Sequence, residues 1–286
     1  MKPLAVVLVV ASLSSSVLAD ERVPIAANFS SEETNLIAGL VVTDLLLYAL
    51  QADITNNKLS LIGAPPAFDR ELSQTLYRGP GAGRWLGGVP ADVGLFIGPA
   101  AVFALYSSDA LALKLSGSSF TGDANPDHHL LALIEAFGIA MGINQAVKVA
   151  VGRDRPKVFF DRPDAGARNS DSTLSFFSGH ATSAFTLASF AHRNLADWLE
   201  ARGSGPWLGS VLPGVVLYGG ASVIGISRIV DQEHYLTDVL AGALVGAVVG
   251  NLVYSYHFDS HGRPRRRHPV FELLPLPGGM AISGRF

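Results

Sequence analysis

The sequence predicts an all-α protein: a single helical bundle of about six core helices with a short irregular or hairpin tail. Three observations lead there, namely six apolar segments of helical length, turn-rich stretches between them, and a composition that is 49% hydrophobic and 16% charged. Soluble domains average about 25% charged residues, so much of this surface must be buried or face lipid. The 286 residues carry no visible internal repeat, and one domain accounts for them.

Taken in order, the chain opens with Met1-Lys2-Pro3, an apolar run from Leu4 to Val10, and Val17-Leu18-Ala19 before Asp20. This reads as a secretory signal (residues 1–19) cleaved after Ala19, or as a retained anchor helix. Both predict export, to a bacterial-type periplasm or a membrane facing it. The helical domain then occupies 20–258 and a basic, proline- and glycine-rich tail 259–286. Within the domain the apolar segments are Asn35 to Leu50, Ala91 to Leu113, Leu130 to Val151, His180 to Leu199, Leu208 to Ile226 and Tyr235 to Tyr256. Their length and their alanine and leucine content favour helix over strand. Gly138 and Gly142, and again Gly242, Gly246 and Gly250, recur every four residues, which predicts helix faces that a neighbour approaches closely. The tail breaks at Gly278-Gly279, where a hairpin would turn.

Uncharged runs long enough to span a bilayer, roughly 20 residues, extend from Gly203 to Ser227 and from Val239 to Phe258. The other segments are interrupted by Asp44, Asp92, Asp109, Glu135 or His192-Arg193. A six-span bundle with the cluster Arg263-Pro264-Arg265-Arg266-Arg267 in the cytoplasm turns the motif-bearing end outward. A cleaved leader followed by six spans would instead leave the tail outside. A retained leader, a segment that does not span, or a soluble helical domain each resolves that conflict.

Composition also excludes chemistry. Without cysteine there is no disulfide, thiolate metal site or cysteine nucleophile, and a net charge of -3 lacks the basic face of a nucleic-acid binder.

Three polar clusters interrupt the apolar background: Lys148-x6-Arg155-Pro156, Ser178-Gly179-His180, and Ser227-Arg228-x5-His234-x3-Asp238. Each falls at the end of a predicted helix. Lys148, Arg155 and Arg228 supply the cations that a phosphate monoester, with nearly two negative charges, requires. Arg155 precedes proline and is therefore extended, ending the helix before it. Ser178 is a natural N-cap and Gly179 allows close backbone approach, so the amides there can cradle an anion beside His180. His234 and Asp238 lie four apart on a predicted helix face. There the carboxylate can hold one imidazole nitrogen as donor and leave the other free as a nucleophile. Ser227 is expected to cap or orient a turn. Asp154, Asp161, Arg162 and Asp164 are read as solvated loop charges and His128 and His129 as capping or surface residues. His257, His261 and His268 lack ligand spacing.

Together these clusters resemble the three signature motifs of the phosphatidic acid phosphatase type 2 superfamily, which includes bacterial acid phosphatases and vanadium-dependent haloperoxidases. The resemblance runs from Lys148 to Asp238. It implies that Lys148, Arg155 and Arg228 bind phosphate, with Ser178 and the Gly179 amide completing the cradle. It implies that His234 attacks phosphorus, Asp238 supports it and His180 protonates the leaving oxygen, with no metal and no cofactor. The substrate would be a phosphorylated lipid or a small phosphoester. A soluble periplasmic acid phosphatase and a haloperoxidase holding vanadate in the same pocket are the alternatives. One departure stands out: the family's second motif usually has proline before the serine, where this chain has Phe177.

Overall fold

A computed structural model of the chain describes residues 35–43, 46, 64–79, 126–163, 165, 170–200, 203–259, 262, 270–276 and 279–285. The leader, the segment Ala91 to Leu113 and the arginine cluster lie outside the described residues.

After a helical stretch at 35–43 come α1 (Ala67–Leu76), α2 (Pro126–Val151) and a single turn, α3 (Pro156–Phe159). Then follow α4 (Gly179–Glu200), α5 (Leu212–Val230), entered through one wider helical turn at Trp207–Val211, and α6 (Leu236–His257). Helix α1 was not anticipated from the sequence. It is short and amphipathic, so a search for long apolar runs passes over it. The tail forms the expected hairpin, β1 (Val270–Leu276) against β2 (Gly279–Arg285), antiparallel with Leu276 opposite Gly279.

Helix ends follow local chemistry. Gly152 stops α2 with φ 61°, its amide bonding the Lys148 carbonyl at 3.0 Å, the left-handed terminator that glycine alone adopts without penalty. Arg155 is extended (φ −66°, ψ 150°) and Pro156 opens α3, as the proline dictates. Ser178 caps α4: its Oγ accepts the Ala181 N–H at 3.3 Å. Ser227 does not cap; its hydroxyl bonds back to the Ile224 carbonyl at 2.7 Å within α5.

Helix α4 is the centre of the bundle, packed against α2, α5 and α6. Its contact with α6 is backbone to backbone. A β-carbon on Gly246 would sit 2.2 Å from the Thr182 carbonyl oxygen, and one on Gly242 would sit 2.6 Å from the Ser178 carbonyl oxygen. The four-residue glycine repeat is therefore the surface against which α4 lies. The facing hydroxyls of α4 bond within their own helix, Thr182 to the Ser178 carbonyl and Thr186 to the Thr182 carbonyl, both at 2.8 Å, so this polar seam is satisfied. An apolar cluster of Ile37, Leu133, Ala136, Ala140, Phe190, Val249, Val253 and Phe258 fills the space between α2, α4 and α6.

Among the described residues three helical stretches are long and apolar enough to cross a membrane: His129–Phe159, Trp207–Val230 and Leu236–His257. The first joins the two read from sequence by its length and apolar composition, and its Glu135 is paired with His257, Oε2 to Nε2 2.5 Å. Outward faces of α5 (Val215, Val216, Val223) and α6 (Leu240, Leu244, Leu252) are exposed and apolar, as lipid contact requires, and the protein is membrane-associated. His129 corrects the capping or surface reading given to it: it is buried and stacked on Phe258 with ring centroids 4.1 Å apart, and His257 is buried as well. Arg162 likewise lies over the Tyr77 ring at 4.0 Å.

Candidate active site

The three polar clusters meet at one end of the bundle. The C-terminus of α2 brings Lys148 there, and the N-terminus of α4 brings Ser178, Gly179 and His180. The C-terminus of α5 brings Arg228, and the turn entering α6 brings His234 and Asp238. Direct contacts join them: a β-carbon on Gly179 would lie 3.6 Å from the Lys148 ammonium, and the Ser178 amide donates to the Asp238 carbonyl at 3.0 Å. The Arg228 carbonyl accepts the amides of Glu233 (3.0 Å) and His234 (3.2 Å). His180, half-buried, is the second residue of α4, two positions beyond Ser178.

The relation of His234 to Asp238 differs from the expected helical pair. Tyr235 is extended (φ −80°, ψ 167°) and serves as N-cap of α6, so His234 lies outside the helix. Its Nδ1 bonds the Ser175 carbonyl at 2.8 Å, whereas the Asp238 carboxylate is 3.8 Å away, near enough for charge but too far for a hydrogen bond. A carbonyl can only accept, so Nδ1 carries the proton and Nε2 keeps its lone pair. The ring is 2% exposed. Burial disfavours its charged form and, with Arg155 and Lys148 nearby, outweighs the Asp238 carboxylate and pushes the imidazole down to about 4.

Asp238 is instead the hub of the turn. One oxygen accepts the Tyr235 amide (2.8 Å) and the Ser175 hydroxyl (2.6 Å), and the other accepts Arg153 Nη1 (2.6 Å). Arg153 also donates to Asp69 of α1 (2.8 Å) and to the Thr237 hydroxyl (2.8 Å), with its guanidinium over the Tyr235 ring at 4.5 Å. Asp69 closes the ring by accepting the Thr237 amide at 3.1 Å. Arg153, Asp69 and Asp238 are all buried, which is tolerable because each charge is paired and hydrogen-bonded. One turn further along α1, Ser73 accepts and donates hydrogen bonds with the buried Gln232, which holds φ 57° just before Glu233.

The cations are held in different ways. Lys148 shares its helix face with Asn144, whose amide donates to the Phe177 carbonyl at 2.8 Å and whose Oδ1 also faces Gly179. Arg155 bonds Asp171 through Nε to the carbonyl (2.9 Å) and through Nη2 to the carboxylate (2.7 Å), while Nη1 pairs with Glu233. Lys157 pairs with the other oxygen of Glu233. Burial raises the Glu233 pKa, but Arg155 and Lys157 beside it win and hold the carboxyl below its ordinary range. Arg228 pairs with Asp231 on the next turn, and its buried Nε has no hydrogen-bond partner.

Phe177, in the place of the usual proline, is buried and follows a cis peptide bond from Phe176. Among the described residues no group of three His, Asp or Glu side chains is arranged to hold a metal ion. Sequence reasoning missed Asp69, Asn144, Arg153, Lys157, Ser175, Gln232 and Glu233. Glu233 stood next to His234 and Arg153 two residues before Arg155, and that proximity was the available signal.

Comparison with known proteins covers the same stretch. The model of the PAP2 superfamily matches residues 129–261. A lipid A 1-phosphatase of Porphyromonas gingivalis is 35% identical over 144 residues, 50% of this chain and 27% of that protein. Phospholipid phosphatase 2 of Bos taurus is 31% identical over 122 residues, 42% of this chain and 41% of that protein. The chain thus spans less than half the length of either relative. A crystal structure of a transmembrane PAP2 type phosphatidylglycerolphosphate phosphatase from Bacillus subtilis superposes with a TM-score of 0.41 at 22% identity, covering 77% of this chain and 94% of that one. The segment 129–261, the part of the chain that resembles the PAP2 superfamily, contains all three polar clusters.

Proposed function

We propose that this protein is a phosphatase that hydrolyses a lipid phosphate monoester or diphosphate through a phosphohistidine at His234. The observation that carries the reading is the His234 ring: Nδ1 is held as donor by the Ser175 carbonyl, and burial keeps the ring neutral. Nε2 is then a nucleophile throughout the neutral range, with no need for a base to activate it.

Nε2 attacks phosphorus in line with the ester bond, which breaks with its electron pair on the leaving oxygen, and His180 in its charged form protonates that oxygen. Water then attacks the phosphohistidine and gives its proton to His180, while the phosphorus–nitrogen bond returns its pair to His234. Lys148, Arg155, Arg228 and the amide of Gly179 receive the charge on the equatorial oxygens. Asp238 acts through the turn: it fixes Tyr235 and Ser175, and Ser175 fixes the imidazole. Relatives named as lipid phosphatases and three membrane-length helices support a lipid substrate over a small soluble ester. The active-site end would face the exported side.

The test is release of phosphate by the detergent-purified protein from lipid and water-soluble esters. His234→Ala should lower turnover by about a thousandfold or more. Enzyme quenched in alkali during turnover should carry a phosphoryl label that acid removes. The acid limb of kcat/KM should fall near pH 4, because the attacking ring is lost only as it protonates there. Near wild-type rates from His234→Ala would sink the assignment, and vanadate-dependent halide oxidation in place of phosphate release would replace it.

A further inference from the structure

Lys157 belongs to none of the three clusters and has no part in the mechanism above, yet it is built into the site. Its amide bonds the carbonyl of Gln232 at 3.0 Å, which sets it beside the nucleophile turn, and its ammonium meets Glu233, the residue before His234. The Glu233 carboxylate bridges two cations, one oxygen on Lys157 and the other on Arg155. The side chains of Lys157 and Glu233 are 20% and 23% exposed, at the rim of the site where an entering anion could replace one of them.

A carboxylate placed this way presents to the cations what a phosphate presents: two oxygens of one anionic group, each on its own donor. Glu233 holds one of the two N–H groups of Arg155 Nη1, so a phosphate that draws on both must displace the carboxylate. When Glu233 leaves Arg155 it also leaves Lys157 uncovered. A phosphate near two negative charges is the stronger ligand for the pair, because each cation gains more from a dianion than from a monoanion at similar distance.

We propose that Lys157 is a fourth phosphate-binding cation, forming with Arg155 a two-point seat that Glu233 occupies as a resident competitor until substrate enters. This rests on the phosphatase reading for its biological meaning. The seat adds a positive charge beyond the three that serve the transferring phosphoryl group, and so favours substrates with a second phosphate, diphosphates over monoesters.

The test is calorimetric binding of inorganic phosphate to the full chain in detergent micelles. Glu233→Gln should bind phosphate roughly tenfold more tightly than wild type, as one competing charge is removed. Adding Lys157→Gln to that variant should return about the same factor, and Lys157→Arg in its place should retain the tight binding, which separates lost charge from lost fold. In turnover, Lys157→Gln should raise KM for a diphosphate substrate more than for a monoester. If Glu233→Gln leaves phosphate affinity unchanged or weakens it, Glu233 merely positions Arg155 and the proposal fails. It fails equally if Lys157→Gln has no effect in the Glu233→Gln background. Because binding is read without turnover, a chain that shows these shifts but hydrolyses no phosphoester overturns the proposed function and leaves this seat standing.

Discussion

At the end of the bundle that holds His234, Asp238 collects hydrogen bonds from Tyr235, Ser175 and Arg153, and Arg153 passes the connection to Asp69 and Thr237. At the opposite end, where α2 and α6 have their other termini, Glu135 pairs with His257 and the Tyr254 hydroxyl donates to Asp197 at 2.7 Å, among the packed rings of His129, Tyr254 and Phe258. Both ends hold carboxylates, fully buried at the active end and half-buried at the other. The active end does so with a branched network drawn from four segments far apart in sequence, the other with helix-to-helix pairs packed on aromatic rings. A branched network fixes the angle of every member, as an aimed nucleophile requires, and its cost is that one deletion strands several groups at once.

Removing Arg153 should give the largest effect. Arg153→Ala leaves Asp69 and Asp238 both buried without their cation, and should cost on the order of 3–5 kcal/mol of stability as well as most of the turnover. Thermal melting and phosphate release on the same preparation check both. Next comes the α4–α6 seam between the two ends. Gly246→Ala drives a methyl into the Thr182 carbonyl and should cost about 1–3 kcal/mol by prying two helices apart, read as a lowered melting temperature. The smallest effect belongs to the far end. Glu135→Gln should cost about 1 kcal/mol and leave kcat and its pH profile untouched. Equal losses from Arg153→Ala and Glu135→Gln would erase the distinction between the ends.

The sequence carried the motif residues because their chemistry is local in pattern: cations, histidines and a helix-starting serine and glycine at helix ends. It carried the glycine seam for the same reason, since four-residue spacing is a property of one helix. It did not carry the partners. Asp69 meets Thr237 across 168 residues and Ser73 meets Gln232 across 159, separations at which no periodicity survives. The i,i+4 reading of His234 and Asp238 assumed that the helix began early enough to include the histidine. Tyr235, extended at the N-cap, starts the helix after it and hands the imidazole to Ser175. Helix α1 escaped because its value lies in two polar residues, Asp69 and Ser73, that point inward from a short amphipathic element.

The bracing of the nucleophile turn by α1 also sets an order of events during synthesis. Asp69 and Ser73 leave the ribosome well before Arg153 and long before Gln232, Thr237 and Asp238, so early in translation they have nothing to hold. The His234 imidazole cannot be positioned until the last of the three clusters has emerged and folded back onto α1. On the proposed function, a nascent chain therefore has no aimed nucleophile until its final core helix is in place.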